Sequence, residues 1–239
     1  MDEILKGKVA IVTGAAGHLG QAVAKQFERA GAHLGLFDRE RDRLQELYPD
    51  WKESADHLLL GSIDLTDQAI VNAGVTKVVE RFGRIDILVN AAGGFRAGSP
   101  VHETPVDTWE FMLNLNAGTI MNTARAVIPY MLEHSYGKVV NIGARPGLKG
   151  PVNTGAYAAS KSAVMRLTES LDAELKHEGI NVNAIIPGTL DTPPNREQMP
   201  DANHDRWVSV ESIAKVILFL VSDEATAIHG ALIPAFGTG

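Results

Sequence analysis

The feature that most limits how this chain folds is a hydrophobic period that switches repeatedly along its 239 residues. Short runs rich in Val and Ile occupy residues 8–13, 33–37, 58–63, 85–89, 138–142, 180–185 and 231–233, and they read as strands. Amphipathic stretches lie between them. Residues 19–30 predict a helix, with Gly31 placed as its C-terminal cap. Residues 39–47 form a charged helical segment that Pro49 closes. Thr66 is placed to cap a helix whose apolar face is Ile70, Val71, Val75, Val78 and Phe82, with Gly83 as its stop. Long helices are expected over 108–127 and 156–177, and a last one around Ile213 to Val221. Strands alternating with helices of this length imply βαβ units and a parallel sheet. Continuously apolar strands imply helices on both faces. The expected fold is α/β: one doubly wound domain over residues 1–239, with a parallel sheet of about seven strands. Ligands should then bind at the carboxyl ends of the strands.

Composition excludes several classes. There are 22 Lys and Arg against 29 Asp and Glu, a net charge of −7, which disfavours a nucleic-acid binder. With no cysteine, disulfides, thiol nucleophiles, iron–sulfur clusters and thiolate zinc sites are excluded. His134, His177, His204 and His229 have no metal-ligand spacing with neighbouring carboxylates, so no metal is expected. The first eight residues lack the apolar core of a secretory signal, and the longest greasy stretch, near Val216 to Val221, is too short for a membrane span. The expectation is a soluble cytoplasmic protein without a membrane or nucleic-acid partner. Residues 187–207 break the rhythm with four prolines and little periodicity, the signature of a lid or binding loop.

Three groups of residues carry chemistry. Thr13-Gly14-Ala15-Ala16-Gly17-His18-Leu19-Gly20 lies between the first strand and the first helix. Glycines there let a backbone approach a pyrophosphate, which the helix N-terminus attracts. Asp38 ends the second strand, 18 residues after Gly20, where an acid can bind ribose hydroxyls and repel a 2′-phosphate. That favours NAD(H), while the guanidinium of Arg39 leaves NADP(H) open. Tyr157 and Lys161 stand four residues apart on one helix face. An ammonium beside a phenol favours the phenolate, so Tyr157 is expected to have a lowered pKa and to serve as a proton donor to a carbonyl receiving hydride.

Further strings run in a fixed order: Asp64-Leu65, Asn90-Ala91-Ala92-Gly93, Asn114-Leu115-Asn116-Ala117-Gly118, the Tyr157/Lys161 pair, Pro187-Gly188 and Thr192. With the glycine turn they resemble the short-chain dehydrogenase/reductase family over nearly the whole chain, which implies a Rossmann-type fold. The resemblance implies that Thr13, Gly14, Gly17, His18, Leu19 and Gly20 form the cofactor turn. Asp64 and Leu65 would meet the adenine, Asn90, Ala91 and Gly93 would line the cofactor cleft, and Pro187, Gly188 and Thr192 would meet the nicotinamide. It also implies that Lys161 holds the nicotinamide ribose and lowers the Tyr157 pKa, that Asn116 fixes a relay water, and that the chain forms a homodimer or homotetramer through the helices over 108–127 and 156–177.

Two departures stand out. The middle glycine of the turn is His18, which is expected to share a positive-φ conformation with Gly17. The family serine, thirteen residues before the tyrosine, falls on Ala144. Losing one such donor typically costs ~2.7–4 kcal/mol in kcat for a plain ketone, and an acceptor that spreads charge through its own ring feels the loss less. The segment from Thr189 through Ala202, followed by Trp207, resembles the lid of dihydropteridine reductases, which reduce a quinonoid pterin and also lack that serine. The main expectation is therefore an NAD(P)-dependent oxidoreductase acting on a small carbonyl, imine or quinonoid, pterin-like substrate. Its pocket would use Phe95, Ala144, Arg145, Thr189 and Trp207 under a lid over 187–209. The alternatives are an ordinary alcohol/ketone dehydrogenase of 3-oxoacyl type, in which Thr154, Asn153 or water replaces the serine, and a catalytically silent cofactor-binding regulator.

Overall fold

A computed structural model describes residues 3–238; Met1, Asp2 and Gly239 lie outside the described residues. The strands of the main sheet are β1 (Val9–Thr13), β2 (His33–Phe37), β3 (His57–Leu60), β4 (Ile87–Asn90), β5 (Gly137–Ile142), β6 (Ile180–Pro187) and, after a two-stranded excursion, β9 (Leu232–Ala235). They form one seven-stranded parallel sheet in the order β3-β2-β1-β4-β5-β6-β9. The helices are α1 (His18–Arg29), α2 (Arg41–Leu47), α3 (Gln68–Phe82), α4 (Val106–Leu113), α5 (Thr119–Glu133), α6 (Gly155–Leu175), α7 (Pro193–Gln198) and α8 (Val210–Val221). Leu19, Val23 and Phe27 of α1 pack with Ile213, Ile217 and Leu220 of α8 on one face of the sheet. Val71, Val75 and Val78 of α3, Val127 and Met131 of α5 and Leu175 of α6 cover the other. The fold is the doubly wound α/β sheet that the switching period requires. Among the described residues no helix is long and apolar enough to cross a membrane.

The order in which successive strands are added along the sheet reverses between β1 and β4, which run parallel. In such sheets the loops leaving the two strands diverge and open a crevice at their carboxyl ends. Here the two loops also touch: a Cβ on Gly14 would lie 2.8 Å from Ala92 Cα, and Gly14 has φ +64°. One on Gly20 would lie 2.2 Å from Gly14 O, so the turn closes only with glycine at both places.

Several local expectations are corrected. β3 ends at Leu60, not residue 63, because Gly61 packs against Arg41 and Ser62 turns the chain at φ 61°. Asp67, not Thr66, caps α3: its carboxylate accepts from the N–H groups of Ala69 and Ile70. Thr66 instead donates to Asp64. Gly83 does stop α3, in a left-handed conformation with its N–H on Val79 O at 2.7 Å. The expected helix over 108–127 begins at Val106 and runs to Glu133, interrupted by a π-helical turn over Asn114–Gly118. Pro129 does not break α5; the N–H it lacks would have reached the carbonyl of Arg125, a residue on the exposed side of the helix. The segment expected to be an irregular loop holds β7 (Leu190–Asp191), α7 and β8 (Val208–Ser209), with β7 and β8 paired in parallel.

Candidate active site

An open cleft lies at the sheet's switch point. Its walls are Gly14 and Gly17 of the turn, Asp38 and Arg39 after β2, Asp64 and Leu65 after β3, Ala91 to Gly93 after β4, and Phe111, Leu115 and Thr119 from the α4–α5 side. Eight of the predicted cofactor positions are thus brought together by four strand ends. The Asp38 carboxylate accepts from Ala16 N at 2.8 Å and Glu40 N at 3.0 Å, which ties the glycine turn to the end of β2. Tyr48 donates to Ala15 O at 2.9 Å from behind the turn; burial, reinforced by Asp38, pushes its phenol pKa up. Hydrogen bonds from the Thr66 hydroxyl and N–H hold the Asp64 carboxyl below its ordinary value. Asn122 fixes the adjacent backbone by donating to Leu65 O at 2.9 Å.

Some predicted cofactor positions are structural in this geometry. Thr13 is buried, and its hydroxyl accepts from Ala92 N at 3.1 Å, stitching β1 to the loop after β4. Asn90 is sealed in a ladder that runs Thr123, Asn90, Asn141, Thr168, with bonds of 2.9, 2.8 and 3.0 Å. His18 is corrected: it is the first residue of α1 and is absent from the positive-φ positions, because Gly14 takes the left-handed turn and Gly17 sits at φ −76°. Leu19 is buried against α8.

The second group of residues stands beside the cleft. Asn116 lies in the π-helical turn, a form that recurs at functional sites. Its side chain accepts from Gly94 N at 3.0 Å and donates to Ser160 Oγ at 2.9 Å. Ser160 donates in turn to Tyr157 O at 2.8 Å. A Cβ on Gly93 would lie 2.8 Å from Asn116 Oδ1 and 3.4 Å from Lys161 Nζ, so only glycine lets the cleft wall approach these groups. Lys161 is 6% exposed and donates to Ile142 O at 2.8 Å. Burial brings its pKa down to about 8. Tyr157 is half-buried, with Phe95 packed edge-on at 4.8 Å between ring centroids. Burial raises its pKa to about 12. The expected lowering by Lys161 is therefore corrected for the free protein: desolvation dominates, and the ammonium is directed to the β5 carbonyl. Ser160 escaped the sequence reading because a serine before a lysine carries no periodic signal.

At the end of β5, Ala144 is 6% exposed and presents a methyl group. The Arg145 guanidinium lies 5.0 Å from the Phe236 ring centroid. Of the candidate replacements for the serine, Thr154 gives its hydroxyl proton to Pro151 O at 2.8 Å. Asn153 takes φ 58°, and its backbone carbonyl accepts from Gly98 N. In the segment after β6, Thr192 caps α7 by accepting from Asn195 N, and Asn195 donates to Leu190 O at 2.8 Å. Arg196 grips Asp191 with two bonds of 2.6 and 2.8 Å, which keep the Asp191 carboxyl below its ordinary value. Trp207 packs on His204 at 4.4 Å. Thr189 accepts from Val208 N through its backbone carbonyl, and Gly188 approaches Phe236 too closely for any side chain.

Known proteins resemble this chain in sequence and fold. A family model described as short chain dehydrogenase matches residues 8–203. The chain is 33% identical over 238 residues to a 3-oxoacyl-[acyl-carrier-protein] reductase of Thermotoga maritima, covering 96% of each chain. It is 34% identical over 229 residues to a 2-dehydro-3-deoxy-L-rhamnonate dehydrogenase (NAD(+)) of a Sphingomonas species, covering 92% of this chain and 90% of that one. The solved structure of NAD+-bound xylitol dehydrogenase matches with a TM-score of 0.91 and 30% identity, covering 98% of this chain and 99% of that one. The chain belongs to the short-chain dehydrogenase family and is an NAD(P)-dependent oxidoreductase.

Proposed function

We propose that the protein is an NAD-dependent dehydrogenase interconverting small polar secondary alcohols and their ketones. The observation that carries this is the Tyr157–Lys161 pair, one helical turn apart beside Gly93, with the Lys161 ammonium buried and pinned to Ile142 O. The residues present suit a dinucleotide. The cleft is glycine-walled at a turn that a Cβ on Gly14 or Gly20 would keep from closing, and acids stand at its far end. Gly14, Gly17, His18 and Leu19 would hold the pyrophosphate, with Asp64, Leu65, Ala91 and Gly93 along the adenosine side. Pro187, Gly188 and Thr192 would meet the nicotinamide, and Lys161 its ribose. Both oxygens of Asp38 keep a lone pair beyond their backbone bonds, enough to accept from ribose hydroxyls. Their charge repels a 2′-phosphate, which favours NAD over NADP.

When bound, the nicotinamide supplies or accepts hydride. This chain's part is proton handling and positioning. Tyr157 Oη gives its proton to the carbonyl oxygen in reduction and takes it back in oxidation. Lys161 places a cation where phenolate charge develops. Asn116 holds the Gly93–Gly94 turn and a relay water. Asn153 is the donor best placed to stand in for the serine, since its side-chain amide makes no hydrogen bond among the described residues whereas the Thr154 proton is committed to Pro151. Residues 187–209 act as a lid within one functional domain. Dimers or tetramers form through α4, α5 and α6, where Val106 and Trp109 expose apolar surface.

The named relatives act, by their names, on hydroxy and oxo compounds, and that supports the ketone reading over the quinonoid one. Ala144 is the one observation favouring a ring-delocalised, pterin-like acceptor. The two readings separate on variants. Asn153→Asp keeps size and tolerance of φ > 0 but removes the donor, and should lower ketone kcat by about 10²-fold, with Ala144→Ser restoring most of it. An unchanged kcat in Asn153→Asp, or no recovery with Ala144→Ser, would count against a replaced hydroxyl.

A further inference from the structure

A second pocket lies between the loop after β4 and the first turn of α6. Arg96, Thr104, Thr108, Asn153 and Thr154 wall it, and Gly155 and Ala156 form its floor. Its lining contains one cation and no carboxylate. Two of its lining residues adjoin residues of the reaction centre along the chain. Arg96 follows Phe95, which packs against Tyr157, and Ala156 directly precedes Tyr157.

Arg96 is held in an unusual way for an exposed arginine. Its guanidinium lies 3.9 Å over the face of Phe111, a ring that also walls the cofactor cleft. Among the described residues no carboxylate forms an ion pair with it. Two acids adjoin the pocket wall in sequence: Asp107 accepts the Thr108 hydroxyl, Glu103 lies against His102, and neither is part of the lining. A guanidinium stacked by its face keeps its in-plane N–H groups available, and that fork matches a carboxylate. Thr104, Thr108 and Thr154 already give their protons to the Pro100 carbonyl, Asp107 and the Pro151 carbonyl, so Arg96 is the one charged group of the lining left to meet an anion, with the Ser99 hydroxyl and the Asn153 amide as neutral donors beside it. One cation without other charges suits a monoanion.

We infer that this pocket takes a carboxylate on the substrate, so that the preferred ketones are oxo acids. The chain of the acid would run from the carbonyl at Tyr157 and Asn153 to the carboxylate at Arg96. The inference rests on the ketone reading for its substrate class and on the pocket for its charge.

Acetoacetate and methyl acetoacetate share a carbonyl and differ in charge, and neither reacts with oxidised cofactor. Calorimetric binding of each to the protein with NAD+ should give about tenfold tighter binding of the acid, the scale of one charge-assisted contact. Arg96→Gln should bring the two within about twofold, and Arg96→Lys should retain part of the preference. Equal affinities in the wild type, no binding of the acid, or a preference that survives Arg96→Gln would overturn the assignment. Turnover with NADH is read separately. If neither compound is reduced while Arg96 still selects the acid, the ketone reading fails and the anion pocket stands.

Discussion

The same burial pushes Tyr157 and Lys161 in opposite directions. It lifts the phenol to about 12, where the proton is held across neutral pH, and it drops the ammonium to about 8. A lysine depressed by desolvation penalises the charged folded state below the folded pKa. That penalty is fully present below pH 8 and is relieved as the pH rises toward the unfolded value of 10.5. The gap corresponds to about 3 kcal/mol. Stability of wild type relative to Lys161→Met should therefore shift by up to about 3 kcal/mol in favour of wild type between pH 8 and 10.5, measured by denaturant unfolding across that window. A pH-independent difference would mean that Lys161 is not desolvated in the folded protein. At this scale the sequence was legible where one residue type at one spacing has few other uses: the Tyr157/Lys161 pair, Gly14, Gly20 and Asp38. It misled at His18, because the backbone strain sits on Gly14 and leaves position 18 an ordinary helical residue. It was silent on Ser160, whose part depends on Asn116 reaching across from another element.

Two elements set the site's geometry without touching a ligand. The π-helical turn between α4 and α5 puts Asn116 against Gly94 and Ser160. A continuous helix, as the periodicity over 108–127 suggested, would rotate the residues after Asn114 away from that register. Apolar spacing reports which face is buried and is too coarse to reveal one extra residue in a turn. The Thr123–Asn90–Asn141–Thr168 ladder binds β4, β5, α5 and α6 behind the cleft. Asn141→Ala removes two partners at once and leaves the buried Asn90 and Thr168 groups without them. Thermal or urea unfolding should show a loss of about 1–3 kcal/mol, with the KM for cofactor little changed because the ladder lies outside the cleft wall. A cofactor KM raised in proportion to the lost stability would place the ladder in binding. The lid segment was legible as an interruption, but its β7–β8 pairing was not: two-residue strands carry no period, and their register depends on Val208 returning to Leu190.

Across the molecule, the order β3-β2-β1-β4-β5-β6-β9 puts one crevice where β1 and β4 part; the glycine turn and two acids collect along it, and Lys161 reaches Gly93 of its wall from the side. The doubly wound class followed from the alternation of periods alone, since parallel strands need helical crossovers. Substrate choice did not follow, because the groups that differ from a plain site lie on two separate connections, Arg96 after β4 and Ala144 and Asn153 between β5 and α6, with no sequence pattern that links them. Charge at whole-molecule scale is equally uninformative, for an excess of seven negative charges coexists with a mouth whose second pocket holds a lone cation.

The most direct test is NADH oxidation by the purified protein with a panel of simple and carboxylated ketones beside quinonoid dihydropterin, run on wild type and Tyr157→Phe. The account predicts turnover of ketones, reduced about 100-fold or more in Tyr157→Phe as expected for loss of a general acid, with NADH binding retained. Turnover of the quinonoid compound alone, or ketone reduction that survives Tyr157→Phe, would contradict it.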